Sequence, residues 1–197
     1  VPTGVALRDV REQLFAAAER VLLRDGPHAL TSRAVTLEAG VAKGVLHRHF
    51  SDFDQFLTEL ILDRIQRVES QATVLLSWVG QGSVAANLTT VLRQIFTSVA
   101  VGIVSLVIFR DDLRARLFAA RGTRGLALLT EAGAMIADYL RAERDLGRLA
   151  PDTDVDTLAP MLIGSGHLLF ADRDGEPPTV QAVEKLVAAA LTGVMPG

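Results

Sequence analysis

"TSRAVTLEAGVAKGVLHRHFSD", residues 31–52, is the stretch that decides how the chain is read. Thr31 or Ser32 offers a side-chain oxygen to start a helix, and Ala39-Gly40 ends one, so the spacing predicts a short helix carrying Val35 inward. Gly40 stands where the chain must reverse, in a left-handed conformation that costs glycine least. A second short helix over Ala42–Phe50 follows, with Val45, Leu46 and Phe50 as its apolar side. A helix, a tight glycine turn and another short helix make a helix-turn-helix, whose second helix can enter a DNA major groove. Gly44 would let the backbone come close to the duplex, and Lys43 and Arg48 supply cations for phosphates. Basic residues on short helices also decorate plain solvated faces, so the ordered context carries the assignment.

Charge agrees with this corner. Residues 1–50 hold seven Lys/Arg against five Asp/Glu, a net of +2, and the whole-chain −3 then leaves −5 for residues 51–197. A basic head on an acidic body points to a polyanion partner for the head alone.

Outward from the turn the pattern stays helical. Leu7, Val10, Leu14, Ala18, Val21 and Leu22 recur at helical spacing before the breaker Asp25-Gly26-Pro27. Asp52 is a good N-cap for a fourth helix, with Gln55 as capping-box partner and an amphipathic run from Phe56 to Val68. Later segments are expected over Ser83–Ala100, Ile103–Phe109, Asp111–Leu146 (with a break near Gly122–Gly125), Val155–Ala171 and Val180–Val194. No strand-like alternation, repeat or low-complexity segment interrupts them. The expected fold is all-α. A three-helix head over 1–52 is joined by a long helix, 53–70, to a larger helical body within 53–197.

Composition narrows the class further. Hydrophobic residues make up 49% of the chain, carried by Leu, Val and Ala, which excludes disorder. The absence of cysteine removes disulfides and thiolate chemistry and fits a cytoplasmic setting. The opening VPTGVALRDV has no apolar core of a signal peptide. The uncharged run Gln94–Phe109 is shorter than the ~20 residues a membrane helix needs, so a buried helix or helix pair is expected and no membrane partner.

The quoted stretch, with its capped short helix, Ala-Gly-Val turn, short recognition helix and His-Phe ending, resembles the TetR family of transcriptional regulators from about Leu14 to Leu60. "YLRAERDLGRLAPDTDVDTLAPMLIGSGHLLF" (Tyr139–Phe170) is similar to a common body segment of that family. The resemblance implies a homodimer whose heads hold a palindromic double-stranded operator, and a body holding a small effector that releases DNA, a repressor's behaviour. By position it implies DNA contacts from Ser32, Arg33, Ala42, Lys43, Gly44, His47, Arg48 and His49. Three positions depart from the family pattern: Ala42 replaces a usual Ser, His47 a frequent Tyr, and Phe53 a frequent phosphate-facing Lys.

Within the body, Leu158, Met161, Leu162, Ser165, Leu168 and Leu169 form one wide apolar face, and Val183, Leu186, Val187, Ala190 and Leu191 another. Paired with a symmetry mate they would make an isologous four-helix interface; a plain monomeric core is the simpler reading. Trp78, Phe96, Ile103, Leu106, Phe109, Phe118, Met135 and Tyr139 are candidate lining for a hydrophobic effector, though many such side chains are simply core.

Three patterns tempt toward other chemistry. His47 and His49, two apart, would share a face on a strand but lie about 200° apart on a helix, and with no Cys the ligand set for a metal site is incomplete. "GQGSVA" (80–85) fits a nucleotide-loop glycine pattern, yet no acid occurs from Ala86 to Phe109. "IGSGH" (163–167) sets Ser165 near His167 without the strand-turn context of a nucleophile, and its glycines suit close helix packing. Neither an enzyme nor any metal or cofactor is therefore expected. A helical lipid- or small-molecule-binding protein without DNA binding, and a nucleotide-dependent enzyme, remain as alternatives.

Overall fold

The computed structural model describes residues 4–96, 100–122, 125–171 and 177–195, with side chains from Val10 onward among them. Residues 97–99 and 123–124, which the expected helices Ser83–Ala100 and Asp111–Leu146 include, lie outside the described residues, as does the side chain of Leu7. Helices are the only extended elements among the described residues: α1 (Gly4–Asp25), α2 (Ser32–Glu38), α3 (Gly44–His49), α4 (Phe53–Ser77), α5 (Val84–Phe96), α6 (Ala100–Ile108), α7 (Asp111–Arg121), α8 (Ala127–Asp145), α9 (Val155–Phe170) and α10 (Val180–Ala190). The fold is all-α, with a helix-turn-helix at its N-terminal end.

Packing divides the chain into two compact units. The first contains residues 1–63 and 102–124; the second contains 64–101 and 125–197. The sequence-read boundary at residue 52 thus ends the helix-turn-helix, whereas packing cuts inside α4 and gathers most of α6 and all of α7 with the head.

In the first unit, α1 stops where Gly26 takes a positive φ of 82°, and Pro27–Ala29 forms a single 3-10 turn. Thr31 caps α2 by accepting the Ala34 N–H at 3.1 Å. At the other end Gly40, at φ 67°, donates its N–H to Leu37 O, and the Val41 N–H reaches back to Thr36 O. These two bonds are a Schellman closure, and an L side chain at Gly40 would add about 1–2 kcal/mol of left-handed strain. Asp52 caps α4 through the Gln55 N–H at 2.6 Å, but the Gln55 side chain turns to Glu59 instead of closing the capping box. Leu14, Val21, Leu22, Val35, Leu46, Leu57 and Leu60 are buried, and Phe50 meets Phe15 and Phe56 with ring centroids 5.9 and 5.0 Å apart.

In the second unit, α8 packs along α9, and α10 lies on α5 and α9. Tyr139, Leu88, Leu92, Ile136, Leu140, Leu162 and Val187 are fully buried there. Gly166 of α9 sits against Phe96: a Cβ at this position would lie 2.6 Å from the ring's Cε2 atom. No single helix among the described residues is long and apolar enough to cross a membrane, and the run Gln94–Phe109 is shared between α5 and α6.

Candidate nucleic-acid interface

α1 holds the two short helices by polar contacts as well as by its apolar face. Arg11 donates to the His49 carbonyl at 3.4 Å, lies 4.5 Å over the Phe50 ring and pairs with Glu59 of α4. Gln13 donates to Ala39 O at 2.8 Å, at the end of α2. Arg20 and Arg24 both grip Glu38, at 2.7 and 2.8 Å, and these bonds hold its carboxyl below the usual carboxylate range. The C-terminal ends of both helices are therefore fixed by side chains from α1, leaving their outer surfaces clear.

Arg33, Ala42, Lys43, Gly44, His47 and Arg48 are exposed, while Ser32 and His49 are half-buried. No side chain caps α3, and a Cβ at Gly44 would meet nothing within 4 Å, so its bare backbone faces open space. The side chains of Arg33, Lys43 and Arg48 make no ion pair or hydrogen bond among the described residues; Lys185 of α10 is the other described cation of which this holds. By contrast, Arg11, Arg20, Arg24, Arg110 and Arg116 in the same unit are all ion-paired. The cations that remain uncompensated are thus concentrated on the helix-turn-helix. His49 turns toward the Phe50 ring, 6.5 Å away, while His47 points to solvent, so the pair does not converge. No group of three His, Cys, Asp or Glu suited to a metal occurs among the described residues.

Residues expected to line an effector pocket are divided between the two units. Trp78, Phe96, Met135 and Tyr139 belong to the second unit, and Ile103, Leu106, Phe109 and Phe118 to the first. Phe109 and Phe118 are 75% and 44% exposed. Phe96, Ile103, Leu106, Met135 and Tyr139 are buried. A cleft of about 450 Å³ lies between α8 and α9. Gly133, Ala134, Ala137, Pro160 and Gly164 line it, and Thr130 and Asp156 add polar groups.

The expected interface residues also separate. Leu158, Leu162, Val183, Val187 and Leu191 are buried within the single chain, where α9, α10 and α5 pack together. Met161 and Leu168 are 56% and 76% exposed and Ser165 is exposed, while Leu169, Leu186 and Ala190 are half-buried. α9 thus carries two apolar faces, one inward and one outward.

Comparison with known proteins bears on the head most directly. Residues 14–60 match the model for bacterial regulatory proteins of the tetR family. The head is a TetR-family domain. A search of curated sequences finds no match. Solved structures share the fold over nearly the whole length. NemR of E. coli, in its reduced form, has a TM-score of 0.71 at 15% identity, covering 96% of this chain and 99% of that one. The ketosteroid transcriptional regulator KstR2 of Mycobacterium tuberculosis gives 0.67 at 19%, covering 95% and 96%. The transcriptional regulator FadR from Bacillus subtilis, in complex with stearoyl-CoA, gives 0.67 at 16%, covering 93% and 98%.

Within the TetR-family head, Phe53 stacks on Phe56 at 5.6 Å and joins the aromatic cluster. The glycines of "GQGSVA" have a structural use. Gly80 and Gly82 take positive φ, the Gly80 N–H donates to the Glu143 carboxylate at 3.3 Å, and Gly82 O accepts from Arg148. The amide a phosphate would need there is already engaged, and helices flank the loop on both sides. Glu143, fully buried, also takes Arg148 at 3.1 Å and the Tyr139 hydroxyl, to which Asn87 donates at 2.9 Å. Burial first, then Glu143, pushes the Tyr139 hydroxyl far above its ordinary range, so it stays protonated. Sequence reading missed this network because "RAERDLGR" has the look of a solvated charge run. His167 is half-buried 6.2 Å from Phe96, and burial lowers its pKa, so its ring is held neutral; Ser165 is exposed.

Proposed function

We propose that the chain is a dimeric, effector-responsive DNA-binding regulator, a repressor released from a palindromic operator by a small apolar ligand. The observation that carries this reading is the set Arg33, Lys43 and Arg48, exposed and uncompensated on a TetR-family head whose other described cations are paired. Phosphate contacts of this kind position a protein on DNA, and the exposed edge at Gly44 lets the backbone approach. Dimerisation is assigned to the outer face of α9, where Met161 and Leu168 stand beside the α8–α9 cleft. Knob and groove on one surface suit a two-fold contact in which each copy offers both. The two heads then address two half-sites.

Small-molecule control is supported by two structural neighbours, one a ketosteroid transcriptional regulator and one in complex with stearoyl-CoA. In this chain Phe96, Met135 and Tyr139 are the large buried side chains we assign to the effector's surroundings. The continuous helix α4, shared by both units, is assigned to carry the response to the heads. An effector shifts DNA affinity only by as much as its affinity differs between the two states. Nuclease footprinting on the DNA flanking the gene, at low salt, tests the reading. A protected palindrome is expected, and stearoyl-CoA and a ketosteroid are the first probes for loss of protection. Absence of any footprint would remove the DNA-binding reading in favour of a small-molecule carrier.

A further inference from the structure

The corner between α6 and α7 is seated on the start of α4 by two ion pairs. Arg110 lies 2.8 Å from Asp54 Oδ1, and Arg116 lies 3.2 Å from Asp52 Oδ2. Beside them the Phe109 ring meets His28 with centroids 6.5 Å apart. Asp52 is used twice: Oδ1 caps α4, and Oδ2 takes Arg116. All four charged side chains are partly exposed, and ion pairs of that kind contribute little to stability.

Their position suggests a different use. Asp52 and Asp54 follow Arg48 by four and six residues, so chain length alone keeps Asp52 within about 15 Å of it. At low salt that distance is comparable with the screening length. Two bare carboxylates there would oppose the approach of a polyanion to Lys43 and Arg48. We propose that Arg110 and Arg116, without touching DNA, are positioning residues for duplex binding, cancelling Asp52 and Asp54 and fixing the first turn of α4 behind the recognition helix. This rests on the DNA-binding reading given above.

The test uses the full chain and a fluorescein-labelled, mixed-sequence 30-base-pair duplex, followed by anisotropy from 50 to 200 mM NaCl. R110A/R116A is expected to bind about tenfold more weakly at the low end, with the difference shrinking to about twofold at the high end. Adding D52N/D54N to that background restores binding to within about twofold of the parent, since asparagine keeps the helix cap. R114A/R141A removes the same charge from arginines paired elsewhere, to Asp111 and to Asp138 and Asp156, and leaves affinity within about twofold. Undiminished binding by R110A/R116A, a loss that D52N/D54N does not restore, or an equal loss in R114A/R141A would each overturn the inference. No binding by the parent protein would overturn the DNA-binding reading itself, and the inference with it.

Discussion

With Arg33, Lys43 and Arg48 all changed to alanine, duplex binding is expected to fall at least about a thousandfold at 100 mM salt. Each phosphate contact contributes roughly 0.9 to the slope of log affinity against log salt, so three per head lower the slope of a dimer by about 5. The fold should not notice. These side chains are exposed and have no polar partner among the described residues, and substitutions of that kind stay within about 0.5 kcal/mol each. Anisotropy across a salt series gives the slope, and a thermal melt checks the fold. An unchanged slope would place the DNA elsewhere. A loss confined to one base position would show that one of the three reads a base edge instead.

Glu143→Ala is expected to be the most damaging single substitution in the second unit, at about 3–5 kcal/mol in a urea titration. The carboxylate has no solvent exposure, and its removal leaves the Gly80 N–H and the Tyr139 hydroxyl without their acceptor and the Arg148 guanidinium, still bonded to Gly82 O, without its counter-charge. Because Gly80 lies in the turn after α4, the loss should loosen that turn as well as the core. Changing Arg148 to methionine in the same molecule should recover part of the loss, since the cation left without its counter-charge goes with it. A cost below about 1 kcal/mol for Glu143→Ala would mean that water replaces the carboxylate there.

The head was legible because its punctuation is local. Thr31, Gly40 and Asp52 each act on atoms at most five residues away, and the bonds they make or permit lie where the residue types imply. Boundaries drifted where no such signal exists. α3 begins at Gly44 rather than Ala42 because Lys43 precedes it without a side-chain cap, and α4 continues to Ser77 because nothing before Gly80 stops it. What could not be read was which apolar face of α9 turns inward. Leu158 and Leu162, four apart, and Met161 and Leu168, seven apart, are all large apolar residues at helical spacings, and only the seating of α5, α8 and α10 distinguishes the two pairs. Glu143 was hidden for a similar reason: its partner Gly80 is 63 residues away, and long-range pairing leaves no trace in a local charge pattern.

Two glycines of α9, two residues apart, should respond differently to selection. Gly166 is held by the Phe96 ring, so even a methyl group collides inside a single chain. At Gly164 a Cβ meets nothing, although the residue lines the α8–α9 cleft. In a library of variants sorted for soluble expression alone, position 164 should accept alanine, serine and larger residues while position 166 stays fixed. Sorted instead for regulation of a reporter gene in cells, the library should lose the larger residues at 164 as well. The gap between the two tolerance profiles at that one position would then test the proposal that a second copy of the chain fills the cleft.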